Sequence, residues 1–94
     1  MATTPEGLVK AKIKGILKAH NVYYAMPIGT GYGNSGVPDF LVCAKGMFIG
    51  VEAKAGKNKP TLLQEEHLRR IRSAGGVAMV VNEDNINELR KVLA

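Results

Sequence analysis

Apolar positions along the chain follow a helical period in some segments and form short extended runs in others. The first segment has helical spacing, with apolar residues at Val9, Ile13, Ile16 and Leu17. Thr4 is a candidate N-cap and Pro5 occupies the first helical position, so a helix is predicted to begin there.

Extended runs dominate the middle of the sequence. Strands are predicted at residues 22–26, 39–44 and 47–54, and the last two runs are separated only by Lys45-Gly46. A short link with glycine between two such runs is typical of a β-hairpin.

The second half returns to helical spacing. A helix is predicted from Thr61 to the Gly75-Gly76 pair, followed by a strand at 77–82 and a final helix over 83–94. The apolar positions of these two helices are Leu63, Leu68, Ile71, Ile86, Leu89, Val92 and Leu93.

The predicted order is αβββαβα in a single domain spanning residues 1–94. The hairpin strand, the second helix and the last strand form a crossover, which should be right-handed and make those two strands parallel. The expected fold class is therefore α/β, with a mixed central sheet flanked by helices and a C-terminal helix.

Charged residues stand at one end of the predicted hairpin. If the turn has two residues, Ala44 faces Met47, and counting outward places Asp39 opposite Glu52, with Lys54 on the same face as Glu52. A bulge at the turn would shift this register by one residue but would leave the three charges clustered.

Two carboxylates beside an ammonium suit a divalent metal. Mg²⁺ takes hard oxygen ligands and usually keeps several waters, and it can activate a water and neutralise charge on a phosphate. Lys54 would then steady the attacking water or the transition state. The alternative is a simple ion pair at an exposed hairpin end, formed by Lys54 with Glu52 or Asp39.

Composition narrows the classes of partner. Thirteen Lys and Arg against eight Asp and Glu give a net charge of +5, which favours a polyanion such as nucleic acid. Cys43 is the only cysteine, which excludes an internal disulfide and a thiolate zinc cage, and it is predicted to be buried. No apolar stretch approaches a membrane span and no signal-peptide core is visible, so a cytoplasmic protein is expected.

These residues resemble a known nuclease superfamily. "GVPD" followed after twelve residues by "EAK", in αβββαβ order, is similar to the PD-(D/E)XK nucleases, whose core is restriction-endonuclease-like. The Gly-Val-Pro-Asp wording, the early "TPEG" and the later "TLLQEEHLRRIRSAGG" resemble the VRR-NUC branch in its short, stand-alone phage form.

The resemblance implies roles for particular residues. Asp39 and Glu52 match the metal-binding acids, Lys54 matches the catalytic lysine, and the carbonyl of Ala53 is a further expected ligand. The resemblance also implies cleavage of DNA phosphodiesters with Mg²⁺ or Mn²⁺ by a homodimer similar to Holliday-junction resolvases, acting in the host cytoplasm if phage-encoded. A small sheet with a free edge and an apolar flank independently favours a dimer.

Two further residues have competing interpretations. Glu6 matches an acid on the first helix that approaches the metal, but an acid in a first helical turn also complements the helix dipole. Gln64 matches a glutamine that points toward the site, but Thr61 and Gln64 also form a capping-box pattern.

The glycine-rich segment before Asp39 contains GxGxxG over residues 31–36, but Pro38 and a strand follow it. A dinucleotide site needs a helix there, so a nucleotide cofactor is not expected. Tyr32 in this loop is a candidate stacking group for DNA, and Lys57 and Lys59 are candidate phosphate contacts.

Two other function classes compete with the nuclease hypothesis. One is a non-catalytic or partner-dependent nucleic-acid-binding module that keeps the fold, although all three catalytic positions hold competent residues. The other is an assembly or inhibitor protein, for which the positive charge would be incidental.

Overall fold

The computed structural model describes residues 4–28 and 36–94. The helices and strands follow one another as α1 Pro5–Ala19, β1 Tyr23–Ala25, β2 Phe40–Ala44, β3 Met47–Ala53, α2 Leu62–Ser73, β4 Val77–Val81 and α3 Ile86–Leu93. This is the order expected from the sequence, and the α/β class with a C-terminal helix is confirmed.

The four strands form one mixed sheet in the order β1-β2-β3-β4. β1 and β3 both pair antiparallel with β2, and β4 pairs parallel with β3, as the crossover through α2 requires. The mixed sheet predicted from the sequence is therefore present.

The β2–β3 turn fixes the register of the hairpin. Lys45 and Gly46 both have positive φ, 55° and 77°, which is the conformation of the tight two-residue hairpin turn whose twist matches the flanking strands. Ala44 pairs with Met47 and Phe40 with Val51, so no bulge displaces the register between them.

The main core lies between α1, α3 and one face of the sheet. Its strand residues are Phe40, Val42, Ala44, Ile49, Val51, Ala53 and Val81. The other face is covered by α2 over β3 and β4, where a Cβ at Gly50 would approach the Ile71 side chain to 2.6 Å. Gly50 thus lets α2 pack closely on the sheet.

The prediction that Cys43 is buried is wrong, because its side chain is exposed. The neighbours of Cys43, Val42 and Ala44, point into the core, so Cys43 points to the opposite face of the sheet. On that face α2 covers β3 and β4 but not β2.

The final helix is shorter at its start than predicted. Residues 83–85 form a turn in which the Asn82 side chain accepts hydrogen bonds from the backbone N–H groups of Asp84 and Asn85, and α3 begins at Ile86. Asn in this role competes with helix formation.

Among the described residues, no helix has both the length and the apolar character needed to cross a membrane.

Candidate active site

The hairpin register places the two acids side by side. Phe40–Val51 is the last pair of the β2–β3 ladder, and Asp39 and Glu52 follow directly beyond it. The backbone N–H of Ala53 donates to Oδ2 of Asp39 at 2.9 Å, which holds the Asp39 carboxylate against β3. The two carboxylates predicted to face each other therefore lie close enough to interact.

Glu52 is buried without full compensation. It is 1% exposed, the only charged residue buried within the described part of the chain, and its Oε1 has no hydrogen-bond partner there. Burial, together with the nearby Asp39 charge, raises the pKa of Glu52 to about 7, although Lys54 opposes the shift. A buried acceptor left unpaired is costly, which points to a ligand at this position.

Lys54 joins the acids from the end of β3. Its Nζ lies 3.5 Å from Oε2 of Glu52 and 3.9 Å from Oε1 of Glu6, and its side chain is 11% exposed. The backbone N–H of Lys54 donates to the carbonyl of Val81, so β4 fixes the position of the lysine. Asp39, Glu52 and Lys54, all predicted from the sequence, are thus brought together.

Glu6 reaches the same cluster from the first turn of α1. Thr4 caps this helix by accepting from the N–H of Gly7, and Pro5 opens it, so the position of Glu6 follows from local sequence. The structure shows Glu6 as an ion-pair partner of Lys54 and Lys10. Its role as a metal ligand stays a prediction.

Sequence reasoning missed Lys10. Its Nζ lies 3.3 Å from Oδ1 of Asp39 and 3.9 Å from Oε2 of Glu6. The signal was its spacing from Glu6, because residues four apart on a helix share a face. If Glu6 lies at the site, then Lys10 must lie near it.

The acids fit a hard divalent cation. In residues 4–28 and 36–94, no group of three or more His, Cys, Asp and Glu side chains is placed to hold a metal, so Glu6 does not complete a three-acid site with Asp39 and Glu52 there. Mg²⁺ is commonly bound by one or two carboxylates with water and substrate phosphate filling the other positions. The unpaired Oε1 of Glu52 suits this arrangement. The carbonyl of Ala53 as a third ligand stays a prediction.

Gln64 forms the capping box. Its backbone N–H donates to the Thr61 hydroxyl at 3.2 Å, and its Oε1 accepts from the Thr61 N–H at 2.9 Å. The local interpretation of Gln64 is confirmed, and a role in the site stays a prediction.

Tyr32 and Gly31–Ser35 of the glycine-rich segment lie outside the described residues, and Lys57 and Lys59 are exposed beyond β3.

Gly36 positions the approach to Asp39. It has φ of 90°, and a Cβ there would lie 2.9 Å from the backbone of Leu63 at the start of α2. We expect Gly36→Ala to destabilise the protein by about 1–3 kcal/mol, since both the left-handed backbone and the contact oppose a side chain. Gly15→Ala is the control, because no atom lies within 4 Å of a Cβ there and helix propensity favours alanine. Urea unfolding measures the stability of both variants, and a Gly36→Ala variant as stable as wild type would contradict the prediction.

Comparison with known proteins adds no assignment. A scan of protein-family models finds no match for this chain, and a search of curated proteins finds none. Interpretation of the site therefore rests on its residues and their geometry.

Proposed function

We propose that this chain is a divalent-metal-dependent endodeoxyribonuclease that hydrolyses DNA phosphodiester bonds. The observation that carries the proposal is the buried Glu52 carboxylate, with one oxygen unpaired, beside Asp39 and Lys54. An ordinary surface ion pair does not need burial of this kind. The proposal includes a restriction-endonuclease-like identity for the fold and a cytoplasmic location for the enzyme.

The reaction assigns a task to each residue. Asp39 and Glu52 would hold Mg²⁺ or Mn²⁺, which would supply Lewis-acid stabilisation of charge on the phosphate. Lys54 orients the attacking water and stabilises negative charge as the new P–O bond forms. The attacking water gives a proton to solvent, the bond to the leaving oxygen breaks, and solvent supplies the proton that this oxygen takes up. The Ala53 N–H holds Asp39 in place throughout.

The test is cleavage of labelled four-way junction, flap and linear duplex DNA, with Mg²⁺, Mn²⁺ or EDTA. We expect metal-dependent cutting, strongest on branched DNA, to be lost in Asp39→Ala and retained in the surface control Glu88→Ala. Cutting that persists in EDTA or in Asp39→Ala would contradict the proposed site. Salt-sensitive DNA binding without cleavage of any substrate would instead favour the non-catalytic module.

We further propose that the enzyme works as a homodimer. Tyr23 pairs with Cys43, and Cys43 pairs with Phe48, so the three side chains form a row on the face that carries α2, beside the part of the sheet that α2 covers. Tyr23 is 75% exposed and Phe48 is 46% exposed, and a groove of about 550 Å³ adjoins Phe48. Large exposed apolar groups in one row suit a protein interface.

Phe48→Glu is expected to convert the dimer to a monomer, because two like charges would be buried at a two-fold interface. Light scattering at micromolar concentration measures the mass, and circular dichroism checks the fold. Leu62→Glu, at a residue that is 90% exposed at the start of α2, is the control and should leave the dimer intact. A monomeric wild type would contradict the proposed dimer and would leave the proposed metal site untouched.

A further inference from the structure

Lys10 forms an ion pair with Oδ1 of Asp39, an oxygen that the proposed metal would bind. Its ammonium lies 3.3 Å from Oδ1 of Asp39, and the Ala53 N–H takes Oδ2 at 2.9 Å. Both oxygens of Asp39 therefore have a positively polarised partner, whereas Oε1 of Glu52 has none within the described residues. Glu52 therefore has an oxygen available to a cation, whereas Asp39 would first have to lose a partner.

An ammonium and a divalent cation compete for such an oxygen. Mg²⁺ binds carboxylate oxygens at about 2.0–2.1 Å, and a cation at Oδ1 would then repel the Lys10 ammonium at a distance of a few ångströms. Glu6 offers Lys10 only a longer contact of 3.9 Å. Metal binding at Asp39 thus removes the better of the two contacts that Lys10 makes.

The released ammonium has room to move. The Lys10 side chain is 38% exposed, and a lysine carries its charge on a flexible four-carbon stem. The exposed Lys12 and Lys14 follow on the same helix, so this part of α1 is basic. A DNA phosphate entering the site would be a suitable new partner.

We propose that Lys10 is an exchangeable counter-ion of Asp39, which neutralises Oδ1 in the metal-free protein and turns to a DNA phosphate when metal binds. The inference rests on the proposed metal-dependent nuclease function and extends it, because it couples metal loading to substrate binding. Coupling of this kind is reciprocal: DNA tightens metal binding by the same factor by which metal tightens DNA binding. Lys10 takes no part in bond making or breaking in this scheme: it acts on the metal through Asp39 and on the substrate through a phosphate contact.

The test measures Mn²⁺ affinity by electron paramagnetic resonance, without DNA and with a phosphorothioate duplex that slows cleavage. Lys10→Met removes the competing charge, so without DNA we expect Mn²⁺ to bind about two- to five-fold tighter than in wild type, the range of a partly exposed ion pair. Lys10→Arg should stay near wild type. Lys14→Met, an exposed lysine one turn further on, is the matched control and should not change Mn²⁺ affinity.

DNA should tighten Mn²⁺ binding in wild type and in Lys14→Met, and this gain should shrink in Lys10→Met. Unchanged or weaker Mn²⁺ binding in Lys10→Met would overturn the inference and leave Lys10 as a structural ion pair. If wild type binds and cuts with Mn²⁺ while Lys10→Met behaves identically, only the role of Lys10 fails. If wild type binds no Mn²⁺, the proposed metal site fails and the inference fails with it.

Discussion

Glu52→Gln is expected to abolish metal-dependent cleavage and, at pH 8, to make the metal-free protein more stable than wild type. Glutamine keeps the shape of the side chain but removes the charge that would hold a cation. Loss of a charged metal ligand should reduce the rate by about 100-fold or more. Stability changes in the opposite direction because the wild-type protein buries this charge.

The pH dependence follows from the raised pKa. Glu52 has a pKa of about 7 in the folded state against 4.5 for the ordinary group. Between these values the folded state binds more protons than the unfolded state, so stability falls as the pH rises from about 4.5 through 7. At about 1.4 kcal/mol per pH unit, the loss is on the order of 3 kcal/mol. Glu52→Gln should remove this fall.

Urea unfolding at several pH values in EDTA provides the measurement. The comparison uses the difference between variant and wild type, because Glu66 and Glu83 have lowered pKa values and act in the opposite direction in both proteins. Glu88→Gln changes an exposed carboxylate on α3 and should differ from wild type by less than about 1 kcal/mol. A variant that is less stable than wild type at pH 8, or that cuts DNA normally, would contradict the prediction.

The hairpin shows how much of the site the sequence could predict. A two-residue turn admits few conformations, so Lys45-Gly46 determined which residues face each other, and the strand period carried that register outward to Asp39 and Glu52. The burial of Glu52 was not predictable in the same way. It depends on packing over that end of the sheet, where Pro38 lies against Gly50 and the start of α2 lies against Gly36, and the hairpin pattern does not contain this packing.

Cys43 and Lys10 were misjudged or missed for a related reason. An apolar run shows that a strand has a buried face, but it does not show whether a helix covers the second face, and α2 leaves β2 uncovered there. The spacing of Lys10 from Glu6 puts both on one side of α1, but only the crossing of α1 over the sheet brings Lys10 to Asp39. Both errors arise from packing between elements, which local periodicity does not encode.

Lys54→Met is expected to lower cleavage by about 100-fold or more, because the variant lacks the cation that, in the proposed mechanism, would stabilise charge on the phosphate and water. It should also raise the pKa of Glu52 further, since Lys54 is a cause that lowers it. In the metal-free protein more Glu52 would then be protonated at pH 7, so the pH dependence of Mn²⁺ binding should shift to higher pH. Lys18→Met, at an exposed lysine in the last turn of α1, is the control and should retain Mn²⁺ affinity and most of the cleavage rate.

The double variant Glu52→Gln/Lys54→Met separates loss of charge from loss of structure. Removing Lys54 alone leaves a buried carboxylate without its nearest cation, which is more damaging than removing both partners of such a pair. We therefore expect the double variant to be more stable at pH 8 than Lys54→Met, while both remain inactive. If the stability change of the double variant equals the sum of the two single changes, Glu52 and Lys54 do not interact. Cleavage by Lys54→Met at the wild-type rate would exclude the lysine from the chemistry. The expected non-additivity arises because one ammonium lowers the energetic cost of burying the acid and also stands where negative charge would develop on the phosphate.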